Sequence, residues 1–206
     1  MNTPLAIAIT ACIAYFVGSI PTAVLVSKAK GVDIYSVGSG NPGASNVSRA
    51  LGKRWAVLVF VVDAAKGALP VAVSRFALGQ PWAVASLAGL AAVVGHSWPV
   101  TMRFKGGRGV ATGGGALAVA YPPVLVVAAA VWAFLAKATR KASVASLAAL
   151  AVAVGGVMLF GRSWAEKGVV AAMAALVAAR HAPNIKRLLA GKELSLGEGT
   201  DPAKSS

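Results

Sequence analysis

The stretch Val110–Ala136, VATGGGALAVAYPPVLVVAAAVWAFLA, decides how often the chain crosses an apolar layer. As one helix it would make a single span, since about 20 residues at about 1.5 Å each cross the hydrocarbon of a bilayer. Tyr121-Pro122-Pro123 at its centre argues otherwise. Proline lacks an N–H and disfavours helix at the residue before it, so consecutive prolines end one helix and open another. The stretch is read as two short or tilted spans, about 110–120 and 122–136.

The basic residues test that reading. Other apolar runs lie at about 4–27, 55–78, 82–100, 142–160 and 169–180. With seven spans, the segments 28–54, 101–109, 137–141 and the tail from Arg180 share one side and hold 16 of the 20 Lys and Arg residues. Fusing 110–136 into one span would swap the later loops and largely cancel the bias. Cytoplasmic loops carry the excess of Lys and Arg. The prediction is an all-α integral membrane protein with seven transmembrane helices, N-terminus outside and C-terminus cytoplasmic, forming one domain. The first run is uncharged and is followed by Lys28 and Lys30, the reverse of a cleavable signal peptide. The tail from about 192 reads as flexible.

Composition points the same way. Apolar residues make up 57% and charged residues 13%, with a mean hydropathy of +0.73. A soluble domain carries about 25% charged residues. That excludes an ordinary water-exposed surface, and so much apolar sequence excludes disorder. In a soluble protein a net charge of +14 would suggest nucleic acid. In a membrane protein it marks cytoplasmic loops and anionic substrates, so no nucleic-acid partner is expected. The single Cys12 excludes an intrachain disulfide and reads as a small buried hydrophobe.

Chemistry concentrates on the basic side. Gly38-Ser39-Gly40-Asn41-Pro42-Gly43 matches G-x-G-x-x-G, but the strand and βαβ unit that a dinucleotide fold needs are missing from its surroundings. Glycines still bare backbone N–H groups, and Ser39, Asn41, Ser45 and Asn46 add neutral donors, so the loop suits phosphate oxygens. Arg49 adds a forked charge. Lys105-Gly106-Gly107-Arg108-Gly109 repeats cations on bare backbone and opens into the helix beginning at Val110, whose N-terminus attracts anions. His96 and His181 end spans on this same side. They are too few for a metal site and no carboxylate accompanies them, so neither metal nor cofactor is expected. Ser143 and Ser146 open the sixth span as hydroxyl donors or caps. Asp63 and Lys66, at i and i+3 inside a span, are expected to pair.

Three stretches, GSIPTAVLVSKAKGVDIYSVGSGNPGASNVSRALG, GHSWPVTMRFKGGRGVATGGG and AARHAPNIKRLLAGKE, resemble the bacterial acyl-phosphate:glycerol-3-phosphate acyltransferase family (PlsY). The resemblance runs in order over essentially the whole chain. It implies a seven-helix enzyme of the bacterial inner membrane with its active site facing the cytoplasm. Such an enzyme moves a fatty acyl group from acyl phosphate to the 1-hydroxyl of glycerol 3-phosphate, giving lysophosphatidic acid and phosphate. A soluble enzyme that makes acyl phosphate is the partner it implies, besides the bilayer. By position, Ser39, Gly40, Asn41, Gly43, Ser45, Asn46 and Arg49 fall in the first motif, where Ser45 replaces a common Thr. Lys105, Gly106, Gly107, Arg108 and Gly109 fall in the second, where Arg108 replaces the usual Lys. His181 and Asn184 match H-x-x-N, and Ser143 and Ser146 lie in a serine-bearing region.

On this reading Ser39, Arg49 and His181 are catalytic and the others bind substrate. An acyl phosphate is a mixed anhydride, activated already, so no covalent acyl-enzyme is needed. No convincing Ser-His-Asp or Cys-His set is present in the sequence, which agrees. His181 is either a general base or a group that positions glycerol 3-phosphate. The acyl chain would lie between apolar helices. A small membrane transporter or binder of organic phosphates is the alternative. A transporter would need an inverted repeat or midplane polar residues, and beyond Asp63 and Lys66 the sequence offers none.

Overall fold

A computed structural model describes residues 3–197. Those residues form helices and connecting loops, with no strand among them. In chain order the helices are α1 (Pro4–Gly18), α2 (Thr22–Ala29), α3 (Ala44–Leu51), α4 (Lys53–Ala72, continued by a π-helical turn Val73–Ala77), α5 (Trp82–Ser97), α6 (Val110–Ala120), α7 (Pro122–Thr139), α8 (Ala142–Phe160), α9 (Trp164–Arg180) and α10 (Ala182–Leu189). Five segments are long and apolar enough to cross a membrane: Pro4–Ala29, Lys53–Ala77, Trp82–Met102, Pro122–Thr139 and Ala142–Phe160. A sixth is the pair α9 and α10, bent by 51°, and α6 is a shorter apolar helix.

The break between α6 and α7 falls at Tyr121, with Pro122 in the first turn of α7. That is where a proline is tolerated, because the first N–H groups of a helix have no internal partner. A second break went unread in the sequence. The first apolar run is divided at Ser19–Pro21, since Pro21 cannot continue α1. The carbonyl of Ile20 freed there accepts a hydrogen bond from Lys66 Nζ at 2.7 Å, and Lys66 also pairs with Asp63 at 2.7 Å, as its spacing predicted. The polar stretch 28–54 is likewise not all loop, because it carries α3.

Small residues let the helices approach closely. A Cβ on Gly67 of α4 would strike the Thr112 carbonyl of α6, and one on Gly115 of α6 would strike the Ala64 carbonyl of α4. Such small-residue seams replace large-side-chain packing where lipid already solvates the apolar surface. The outside of the bundle exposes Leu5, Ile13, Phe16, Phe76, Phe134, Leu159 and Phe160, each more than half accessible. Cys12 corrects the expectation of burial: it is exposed. The tail is corrected over 192–197, which is tied to the helices by hydrogen bonds described below, whereas 198–206 lie outside the described residues.

Candidate active site

The first loop is built around Asn46. Its Oδ1 accepts from the Ser39 N–H at 2.9 Å, and its Nδ2 donates to the carbonyls of Ile34 at 3.1 Å and Val37 at 2.9 Å. Both faces of the amide are spent on the loop itself and the residue is buried. Asn46, expected to bind substrate, therefore acts here as the staple that shapes the loop. Gly38 and Gly40 take left-handed φ values of 55° and 64°, which glycine adopts without strain. The loop packs against Arg49, because a Cβ on Gly38 would lie 3.6 Å from Arg49 Cδ. Ser39, Gly40, Asn41, Gly43 and Ser45 remain partly accessible around it.

The second loop is clamped from two sides. The Gly107 N–H donates to the His96 carbonyl at 3.0 Å and the Gly106 N–H to the Ser97 carbonyl at 3.2 Å. On the opposite side the Arg180 guanidinium donates to the carbonyls of Gly107 at 3.1 Å and Gly106 at 2.8 Å. Gly107 abuts the Nε2 edge of the His96 ring, with no room for a Cβ. His96 itself sits 3.5 Å from Lys66 Nζ, so it serves the loop and the buried ion pair rather than an open site. Lys105 is exposed, and its carbonyl is held by the Tyr35 hydroxyl at 2.7 Å. Gly109 (φ 82°) turns the chain into the N-terminus of α6, directly after Arg108.

The bend between α9 and α10 brings the third motif to these loops. His181 Nδ1 lies 2.7 Å from the Val177 carbonyl, an acceptor only, so Nδ1 carries the proton and Nε2 keeps its lone pair. Glu193 gathers three donors: Asn184 Nδ2 at 2.6 Å, Ser143 Oγ at 2.8 Å and Arg187 Nε at 2.8 Å. Burial pushes its carboxyl pKa up, but these hydrogen bonds and the charge of Arg187 outweigh that and hold it below the usual carboxylate range. The chain at Leu194 and Ser195 reaches Arg49, whose guanidinium donates to both of their carbonyls.

Arg108 lies among these groups. Burial, then the charge of Arg187, lowers its guanidinium pKa to about 10; Arg49 and Arg180 push the same way, and Glu193 opposes them. Among the described residues the guanidiniums of Arg108, Arg180 and Arg187 thus lie near one carboxylate, Glu193, a setting that suits a phosphate. Two buried polar atoms here have no hydrogen-bond partner among the described residues: Asn184 Oδ1, an acceptor, and Arg187 Nη2, a donor. Buried polar atoms are almost always paired. A ligand carrying both a hydroxyl hydrogen and an anionic oxygen supplies what each lacks.

Beside this polar cluster opens an apolar cavity of about 380 Å³. Gly109, Val177, Trp132 and Ser146 line one end, and Ala120 and Tyr121 the other. Ser143 and Ser146 are therefore separated: Ser143 joins Glu193, while the Ser146 hydroxyl accepts from Trp132 Nε1 at 3.1 Å on the cavity wall. Among the described residues no group of three or more His, Cys, Asp or Glu is placed to hold a metal ion.

The chain matches the family described as glycerol-3-phosphate acyltransferase over residues 8–191. It belongs to that family. A relative named glycerol-3-phosphate acyltransferase from Rubrobacter xylanophilus is 43% identical over 183 residues, covering 89% of this chain and 92% of that one. Glycerol-3-phosphate acyltransferase 2 from Moorella thermoacetica is 46% identical over 187 residues, covering 90% and 95%. Two crystal structures of PlsY, an integral membrane glycerol 3-phosphate acyltransferase, share the fold. The glycerol 3-phosphate form superposes with a TM-score of 0.89 at 37% identity, covering 98% of this chain and 100% of that one. The lysophosphatidic acid form gives 0.86 at 38%, covering 94% and 96%.

Within this PlsY-like acyltransferase fold, three site residues were not singled out in the sequence. Arg187 continues the His181, Asn184 spacing by three more residues, so it falls on the same face of α10, and that period was a usable signal. Arg180 and Glu193 had none, because their partners lie far away in sequence or in a segment that composition marks as a tail.

Proposed function

We propose that the protein transfers a fatty acyl group from acyl phosphate to the 1-hydroxyl of glycerol 3-phosphate, without a covalent acyl-enzyme. The observation that carries this is the pairing of two environments: a guanidinium-rich cluster with one unpaired buried donor and one unpaired buried acceptor, next to a cavity that is almost wholly apolar. A phosphate–polyol head and an alkyl tail fit the two. A transporter or binder of organic phosphates has no use for the second.

In this mechanism Arg49, Arg108 and Arg187 hold the phosphates of donor and acceptor, with Lys105 at the rim and the partly accessible Ser39, Gly40, Asn41 and Gly43 beside them, whose N–H groups are spent on shaping the loop. Ser45 and Ser143 contribute hydroxyls, and Asn184 Oδ1 accepts from a glycerol hydroxyl. His181 Nε2 accepts the hydrogen bond of the 1-hydroxyl and orients its oxygen toward the acyl carbon. That oxygen attacks the carbonyl, a C–O bond forms, and the proton passes to Nε2. The tetrahedral centre collapses, its bond to the phosphate oxygen breaks, and inorganic phosphate leaves with the electron pair. The N-terminus of α6 and Arg108 stabilise the negative charge that builds up. Gly106, Gly107 and Gly109 let the second loop seat closely on α5, and Asn46 and Arg180 hold the two loops in place.

The same reading puts the cluster on the cytoplasmic side of the bacterial inner membrane. The long helices, the bent α9–α10 pair and short α6 supply seven apolar segments, with the N-terminus outside, and basic loops border the cluster. Purified protein given acyl phosphate and labelled glycerol 3-phosphate should release one phosphate per lysophosphatidic acid formed. Phosphate release that does not depend on glycerol 3-phosphate would reject the transfer.

A further inference from the structure

The apolar cavity has a built end. Along α6 it runs from Gly109 to Ala120, eleven residues and about 16 Å at about 1.5 Å per residue. At the far end Tyr121 is buried and packs with Val124 and Trp82. Behind it the Arg162 guanidinium is sandwiched, 4.5 Å from the Tyr121 ring centre and 4.1 Å from that of Trp82. Arg162 also donates to the Ala120 carbonyl at 2.9 Å and to buried Glu166 at 2.9 Å, and its N–H donates to the Tyr121 hydroxyl at 3.3 Å. Glu166 is fixed in turn by a capping bond to Ser163. This is a wall backed by an ion pair, and a hydrocarbon pushed through it would have to separate Arg162 from the buried carboxylate of Glu166.

We propose that Tyr121, held by Arg162, Glu166 and Trp82, is the specificity-determining floor that sets the longest acyl chain the enzyme uses well. The proposal rests on the assignment of the cavity to the acyl chain. An extended chain of single bonds advances about 1.2 Å per bond, a third of the reach of a three-bond peptide unit, so about 16 Å accommodates about 14 carbons. Longer donors have to fold back or leave methylenes outside. Each methylene left in water instead of in the cavity lowers kcat/KM by about fourfold, and each one folded back against the floor adds a steric penalty.

The test is the kcat/KM profile of acyl phosphates from 10 to 20 carbons, measured for the unaltered protein, Tyr121→Ala, Tyr121→Leu and Ala153→Phe. Ala153 lines the cavity on α8, short of the floor and outside its ion-pair network. The unaltered protein should decline beyond about 14 to 16 carbons. Tyr121→Ala, or the milder Tyr121→Leu if the first does not fold, should raise the 18- to 14-carbon ratio at least about tenfold, and Ala153→Phe should move the optimum about four carbons shorter. A flat profile out to 20 carbons in the unaltered protein overturns the proposal without any variant. A shift with Ala153→Phe but none with either Tyr121 variant overturns the floor and leaves the cavity assignment standing. No shift with any of the three overturns both.

Discussion

Replacing Asn184 by Asp keeps the size of the side chain and turns a hydrogen bond into a conflict of charge. Asn184 Nδ2 sits 2.6 Å from Glu193 Oε1, so the variant sets two carboxylate oxygens at that separation. Two unit charges there repel by about 1.6 kcal/mol at a dielectric of 80 and about 6 kcal/mol at 20. At 1.36 kcal/mol per unit, that raises one apparent carboxyl pKa by about one to four units, to between about 5 and about 8. Below that value the pair shares a proton and regains its hydrogen bond. Above it, a second negative charge faces the arriving phosphate. The KM for glycerol 3-phosphate, as a ratio to the unaltered protein, should therefore be raised about 10- to 100-fold at pH 8 and fall back toward one by pH 5. Asn184→Ala should show a smaller rise, about tenfold, that does not change with pH, since it loses hydrogen bonds without adding a titrating group. The assay is lysophosphatidic acid formation with saturating acyl phosphate. A flat ratio across that range for Asn184→Asp would refute the pairing of Asn184 with Glu193 at the phosphate site.

Other substitutions separate the groups further. Arg49→Ala and Arg108→Ala should each cut kcat/KM for glycerol 3-phosphate by at least about tenfold, the worth of a charge-assisted hydrogen bond. Arg75→Ala, distant from the cluster and bound to the Gln80 carbonyl, should change it less than about twofold; equal losses at all three would place the anion site elsewhere. Gly107→Ala has to displace the His96 ring and should raise the KM for glycerol 3-phosphate while protein yield and helix content stay near normal; an unchanged KM would separate this loop from the phosphate. His181→Asn should lower kcat by about 10²–10⁴ with little change in KM; a raised KM at unchanged kcat would make His181 a binding group only.

How much of this was legible depended on whether a residue's partner was near in sequence. The break at Tyr121 was readable because Pro122 and Pro123 act locally on the backbone. So was the Asp63–Lys66 pair, one helical turn apart. The division of the first run at Pro21 was missed because an uncharged apolar run masks a break whose freed carbonyl is satisfied by Lys66, a residue from another helix. The glycine-rich loops suggested an anion site through composition alone. Sequence could not tell which of their polar residues face inward. Asn46 looked like a ligand and is a staple, whereas Arg180 looked like a positive-inside charge and clamps Gly106 and Gly107. The tail showed the same limit. Glu193 sits in a Gly- and Lys-containing stretch with no periodicity, yet it joins Ser143, Asn184 and Arg187 through hydrogen bonds that only tertiary structure creates.

The central claim is that the cluster handles phosphate as leaving group while the neighbouring cavity takes the chain. The most direct measurement compares donors with the same acyl group, acyl phosphate against acyl-coenzyme A, at saturating glycerol 3-phosphate in purified protein. The account predicts turnover with acyl phosphate and a rate at least about a hundredfold lower with the thioester, whose bulky head does not fit among Arg49, Arg108 and Arg187. Comparable rates with the two donors would contradict it.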